Sequence, residues 1–255
     1  MRYITNSMAL LSTLFFACTA HAGAMGESSA RFSGFWTGVG GSYNDSTISG
    51  KTNITQISSA PSNAEYLLND NLTTHLAADV NVGYFYDFQN DWLAGLKFAY
   101  KYIGQEQYDA SWSGTFSDGT YQTAGLRTKF MQDFFLLVDG ACQFNSWLLY
   151  AGAGPSWVNV REYLNGDVLP ASSFIFTPVN QSKSEYITGG VGEVGFQYML
   201  PHRFAVDISY NFVATPSGSL PPIQFATTNS ANYTVFNQSV SIVEQGFNIT
   251  LNKYW

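Results

Sequence analysis

This chain is short of charge. Only 11% of its 255 residues are Asp, Glu, Lys or Arg, less than half the share in an average soluble domain. Lys and Arg number 11 against 18 Asp and Glu, for a net charge of −7, and they form no basic run. That excludes a phosphate-tracking surface, so no nucleic-acid partner is expected. There are two cysteines, Cys18 and Cys142. Only Cys142 lies beyond the N-terminal leader described next, so no intramolecular disulfide is expected. No stretch of 18 consecutive apolar residues follows that leader, so no membrane helix is expected. Three histidines and no Cys/His/carboxylate cluster with ligand spacing argue against a metal site, and no cofactor is expected.

The first 22 residues read as a secretory signal peptide. Arg2 is the positive start, Met8 to Ala17 the apolar run, and Ala20-His21-Ala22 a small-x-small cleavage site. We place the cut after Ala22, leaving residues 23–255 as one domain. Phe15-Phe16-Ala17 before Cys18 departs from a lipobox, which disfavours a lipoprotein.

What the chain has is aromatics, at 16%, and 23 glycines, with a mean hydropathy of −0.05. Its apolar residues alternate. In residues 74–88 the even positions include Leu76, Val80, Val82, Tyr84, Tyr86 and Phe88, against His75, Asp79, Asn81 and Asp87. Residues 92–103 set Trp92, Leu96, Phe98, Tyr100 and Tyr102 against Lys97 and Lys101. Strand side chains alternate between faces, so each segment has an apolar face and a charged one. The apolar faces are long, aromatic and repeated, which points them at lipid.

Eight such segments are expected, at 34–43, 74–88, 92–103, 125–141, 147–160, 185–200, 203–214 and 239–255. The gaps alternate. Those at 44–73, 104–124, 161–184 and 215–238 are long, and those at 89–91, 142–146 and 201–202 short. Short periplasmic turns and long outer loops are the pattern of up-and-down membrane barrels. The fold expected is all-β, an eight-stranded antiparallel transmembrane barrel. Aromatics at the strand ends read as interfacial girdles: Phe35, Trp36, residues 84–88, Trp92, Trp147, Phe204, Tyr254 and Trp255 below, and Tyr100, Tyr102, Trp157 and Tyr186 above. Gln132 is a polar intruder on the lipid face, and Pro155 predicts a bulge or lapse of pairing in the fifth strand.

Uninterrupted alternation puts Asp79, Asp87, Lys97, Lys101, Arg127, Lys129, Asp133, Asp139, Glu193, Asp207 and Glu244 inside. A tight turn at 89–91 would set Asp79 opposite Lys101. The acidic excess would favour cations if the interior conducts. His202 lies in a solvated turn. His75 sits near the outer end of its strand, where a catalytic group would need a positioned Ser and an acid, such as Ser184 or Ser239 with Glu185. The long gaps carry apolar residues too, among them Ile54, Ile223 and Phe236.

Residues 34–43, GFWTGVGGSY, resemble the first strand of the small outer-membrane β-barrel proteins, the group of the opacity proteins and the OmpA transmembrane domain. Tyr150-Ala151-Gly152-Ala153-Gly154 is similar to their fifth strand, and Gly189-Gly190-Val191-Gly192-Glu193-Val194-Gly195-Phe196 to their sixth. Phe247, Ile249, Leu251 and the final Trp255 resemble the C-terminal signal read by the barrel-assembly machinery, where the family more often ends in Phe. The resemblance implies an outer-membrane location, with membrane lipid, lipopolysaccharide and the assembly machinery as partners. It implies a structural or surface-interaction role, with an extracellular ligand met by the loops. A narrow channel of the OmpW type and a lipid-modifying barrel enzyme are the alternatives. A soluble secreted barrel is the outsider.

Overall fold

The computed structural model describes residues 31–57, 62–88, 91–115, 121–169, 177–226 and 233–255. The strands are β1 (Gly34–Ile57), β2 (Ser62–Asp87), β3 (Trp92–Thr115), β4 (Tyr121–Phe144), β5 (Trp147–Leu169), β6 (Thr177–Leu200), β7 (Phe204–Ala214), the short β8 (Gly218–Ser219) and β9 (Ile223–Ala226), and β10 (Tyr233–Tyr254). Each long strand pairs antiparallel with the next, β7 pairs with β10, and β10 closes on β1. Eight strands therefore form a ring. No helix among the described residues is long and apolar enough to cross a membrane. The leader assigned to residues 1–22 lies outside the described residues.

The alternation predicted for the lower strands is present. Leu76, Val80, Tyr84, Leu96, Phe98, Val138, Phe247 and Ile249 are exposed, while Asp79, Lys97, Lys101, Asp139 and Glu244 are buried. Short turns join the strands below. Asp91 and Asn145 adopt left-handed backbone there, as do His202 and Arg203 in the turn Pro201–Arg203. Asn and Asp tolerate that region, whereas the larger side chains stand there at some cost. Lys253 Nζ donates to the His202 carbonyl at 2.5 Å and lies 4.5 Å from the Phe204 ring centroid. It snorkels from the lipid face to the periplasmic rim.

The upper half differs from the expectation. The long gaps are mostly strand, and the long strands other than β7 run 22–26 residues. The full ring is much shorter. The β2–β3 ladder ends at Ala78↔Tyr102 and the β6–β7 ladder at Gly190↔Ala214. About ten tilted residues cross a bilayer, so the ring spans the membrane and the rest stands outside it. There the strands divide into two sheets. One is β2-β1-β10 with β8 and β9, the other β3-β4-β5-β6. Their inner faces pack together: Ile54, Ile223 and Phe236 of the first meet Ala124, Leu126 and Leu164 of the second. Those apolar residues of the presumed loops are the core of a small sandwich. Thr128 and Gln238 exchange hydrogen bonds across it, at 3.1 and 3.2 Å.

Bulges explain the division. The β3–β4 register shifts between Tyr102 and Glu106, where β3 leaves β2. The β4–β5 register shifts between Phe130 and Gln132, passing over Met131. Extra residues bend a strand and increase its twist, turning the two sheets apart. At Pro155 the β4–β5 ladder runs to Phe135↔Ser156 and resumes in the same register at Val138↔Ala153. Pairing lapses there, as expected of a residue with no N–H. Next to it, a Cβ on Gly154 would collide with the Leu136 carbonyl oxygen, whereas one on Gly140 would meet nothing within 4 Å. Gly154→Ala is expected to destabilise the barrel by about 1–3 kcal/mol and Gly140→Ala to leave it unchanged, read from urea midpoints of the refolded protein.

Candidate functional site: the filled barrel interior

Trp36, Phe85 and Tyr254 were expected in the lower girdle, but they point inward. With Phe32, Leu93, Leu148 and Met199 they form an apolar floor at the periplasmic end. Trp36 stacks on Phe85 with ring centroids 6.3 Å apart. Odd and even positions near a strand end are equally aromatic here, so composition could not separate floor from girdle. Phe35, Tyr84, Tyr86, Phe88, Trp147, Phe204 and Trp255 do face outward.

Above the floor lies a first polar layer. Lys97 Nζ contacts Glu193 Oε1 at 2.5 Å, both side chains almost fully enclosed. Tyr150 bridges two acids, donating to Glu193 Oε1 at 2.8 Å or to Asp207 Oδ1 at 2.9 Å. Gln197 and Asn252 donate to Asp207 Oδ2 at 3.1 and 3.3 Å, and the Tyr254 hydroxyl donates to Gln197 Oε1 at 2.6 Å. Asp139 is buried beside this layer.

A second layer surrounds Lys101. Asp79, Lys101 and Asp133 share one rung across β2, β3 and β4, which places Asp79 as predicted. The ion pair, however, is made across the barrel: Lys101 Nζ reaches Glu244 Oε1 at 2.8 Å. It also donates to Asn44 Oδ1 at 2.8 Å, and Asn44 Nδ2 donates to Ser42 Oγ at 2.9 Å. Ring closure between β1 and β10 decides that partner, and no spacing in the sequence reports it. Asn44 falls in the gap 44–73, where the sequence predicts a loop. The signal that could have found it is the run Ser42, Asn44, Ser46 continuing the inner face of β1.

Arg127 and Lys129, which uninterrupted alternation would place inside, lie on the outer surface instead. Above the Met131 bulge the buried positions are Ala124, Leu126, Thr128 and Phe130; below it they are Asp133, Phe135, Leu137 and Asp139. One extra residue exchanges the faces of a strand, so Leu126 and Phe130, which uninterrupted alternation over 125–141 would turn to lipid, are also inside. Without Arg127 and Lys129 the interior is markedly acidic. Gln132 does face outward. It accepts from the Tyr100 hydroxyl at 3.0 Å and donates to that of Tyr186 at 2.7 Å.

His75 Nδ1 lies 3.4 Å from Ser46 Oγ, opposite Asn44 of β1. Ser184 and Glu185 are exposed on β6, several strands around the ring, and Ser239 sits on β10 opposite Lys51. The imagined triad is not assembled. Among the described residues no group of His, Cys, Asp and Glu could hold a metal ion. Phe247, Ile249, Leu251 and Trp255 are all exposed on the outer face of the ring.

A membrane ring with a polar, charged interior and an apolar exterior defines an outer-membrane β-barrel. Residues 8–242 match the family model described as the outer membrane protein beta-barrel domain, and the chain belongs to that family. It is a protein of the outer membrane. No curated protein sequence matches the chain. Among solved structures it is similar to Ail, the attachment invasion locus protein of Yersinia pestis, at 17% identity over 81% of this chain and 97% of that one, with a TM-score of 0.29. It is also similar to the outer membrane protein OprG of Pseudomonas aeruginosa, at 14% identity over 88% and 97%, with a TM-score of 0.39. The protease OmpT of Escherichia coli matches at 10% identity over 86% and 97%, with a TM-score of 0.39.

Lys101→Met leaves Glu244, Asp79 and Asp133 enclosed without their cation; it is expected to cost about 3–5 kcal/mol in urea unfolding. Glu162 is enclosed between the extracellular sheets, with no hydrogen bond to either carboxylate oxygen. Burial pushes its carboxyl up to about 7, opposed by Lys183. The folded state holds that proton more tightly than the unfolded one. The contribution of Glu162 is therefore most favourable below its ordinary value of 4.5 and is lost as pH rises through about 7. Glu162→Gln is expected to unfold at higher temperature than the native chain at pH 8 and at nearly the same temperature at pH 4.

Proposed function

We propose that this protein is a non-enzymatic surface-interaction barrel, exported by its first 22 residues. Its contact element is the pair of extracellular sheets. The observation that carries this reading is the parting of β2 and β3 above Ala78 and Tyr102. Both strands continue, β2 through 62–74 and β3 through 103–115, with edges that pair with no other strand among the described residues. An open edge is a template for another extended chain unless it is guarded by Lys or Pro. The outer part of β6, which also lacks a neighbour on one side, carries Pro178 and Lys183, and Lys183 Nζ is tied to the Pro222 carbonyl at 2.5 Å. The β2 and β3 edges carry no Lys, Arg or Pro, and they contain Glu65, Asp70, Glu106 and Asp109. Their chemistry suits an extended, basic segment of an extracellular protein, added as a strand.

A solute path is the weaker reading. The aromatic floor, the two charged layers and the apolar sandwich follow one another up the interior. An eight-stranded ring is just wide enough for side chains to fill. An enzyme reading loses its support with the dispersal of His75, Ser184, Ser239 and Glu185.

The refolded protein is expected to stay silent in a planar bilayer. It is expected to bind a synthetic peptide alternating valine and lysine in preference to one alternating valine and aspartate. Glu106→Lys with Asp109→Lys is expected to weaken that binding about tenfold, or roughly 1.4 kcal/mol. Steady conductance, or equal binding of the two peptides, would overturn the reading.

A further inference from the structure

The Met131 bulge brings Lys129 and Arg161 to the outer surface, directly opposite each other on β4 and β5. Tyr163, the next outward residue on β5, receives both. Lys129 Nζ lies 5.3 Å from its ring centroid and Arg161 Cζ 5.1 Å. Two cations thus share one aromatic ring. Among the described residues neither forms an ion pair. Glu162, between Arg161 and Tyr163 in sequence, is turned inward and enclosed. Arg127 lies opposite Tyr163 on β4 and is in register with Asp109 of β3. Cations gathered around one ring repel each other, and an anion between them relieves that repulsion.

Their height identifies the anion. Phe134, Trp157 and Tyr186 form an outward aromatic cluster, with Phe134 opposite Trp157 and 6.0 Å from Tyr186 between ring centroids. Such rings mark the edge of the hydrocarbon. The Lys129↔Arg161 rung lies a few rungs further out on the same face. At about 3.4 Å per residue on tilted strands this is roughly 10 Å above the rings. That is the headgroup layer, well below the free ends of the sheets.

We propose that Lys129, Arg161 and Tyr163 form a site for a phosphate group on the sugar headgroup of an outer-leaflet lipid. The guanidinium supplies paired donors to two phosphate oxygens, and the ammonium a point charge to the third. The Tyr163 ring gathers both cations. This site lies on the membrane-facing wall and is independent of the β2 and β3 edges.

The test uses the full mature chain refolded into phosphatidylcholine nanodiscs doped with bisphosphorylated lipid A or with its dephosphorylated form. Lipid retained after extraction is counted by native mass spectrometry. The native chain is expected to retain bisphosphorylated lipid A at least tenfold over the dephosphorylated lipid. Lys129→Gln with Arg161→Gln is expected to abolish that preference while keeping the heat-modifiable electrophoretic shift of a folded barrel. Lys129→Arg with Arg161→Lys, which keeps both charges, is expected to retain much of it. Equal retention of the two lipids by the native chain would overturn the proposal, whether or not the double variant folds. So would an unchanged preference in the folded Gln variant. Displacement of the lipid by an equal concentration of inorganic phosphate would identify a free-anion site instead.

Discussion

Everything in this molecule depends on one constraint: in hydrocarbon no backbone N–H or C=O can go without a partner. A β structure meets that demand only by closing on itself. The pairing of β1 with β10 does so. Through the membrane every strand has two neighbours, and the short turns place the next strand at once. Outside the membrane the demand lapses because water can satisfy an edge. There the β2–β3 and β6–β7 ladders end, and the remaining strands sort themselves into two sheets.

Closure also sets the interior. Ringed strands enclose a narrow space, and what faces it must fill it or be matched. The lower end is filled by Trp36, Phe85 and Tyr254. The middle is matched, with Lys97 on Glu193 and Lys101 on Glu244. Both ion pairs join residues distant in sequence. Enclosed pairs of this kind add little net stability, yet losing one partner strands the other as an uncompensated charge. The extracellular sheets complete the filling with apolar residues, so one column of side chains runs from the periplasmic turns into the sandwich.

The bulges connect fold and surface. Met131 is one residue, yet it reverses the faces of everything above it on β4. It moves Leu126 and Phe130 from lipid to core, and Arg127 and Lys129 from core to surface. The same kind of irregularity in β3 opens the gap between the sheets. Features of the outer surface that could meet a lipid headgroup or another protein therefore arise from local breaks in the repeat.

The period-two alternation in residues 74–88 and 92–103 was enough to determine strands, faces and membrane exposure, because those segments carry no bulge and each residue's face follows from its parity. The alternating turn lengths determined strand number and direction for the same local reason. The interior rung Asp79–Lys101 was legible because a tight turn fixes register at short range. Tertiary structure alone decided that Glu244 neutralises Lys101, that Trp36 and Tyr254 are floor rather than girdle, that Ile54 and Phe236 are core rather than loop, and that Lys129 meets Arg161 outside. Each depends on ring closure or on a one-residue slip. Both are settled by the packing of distant strands, where local alternation carries no information.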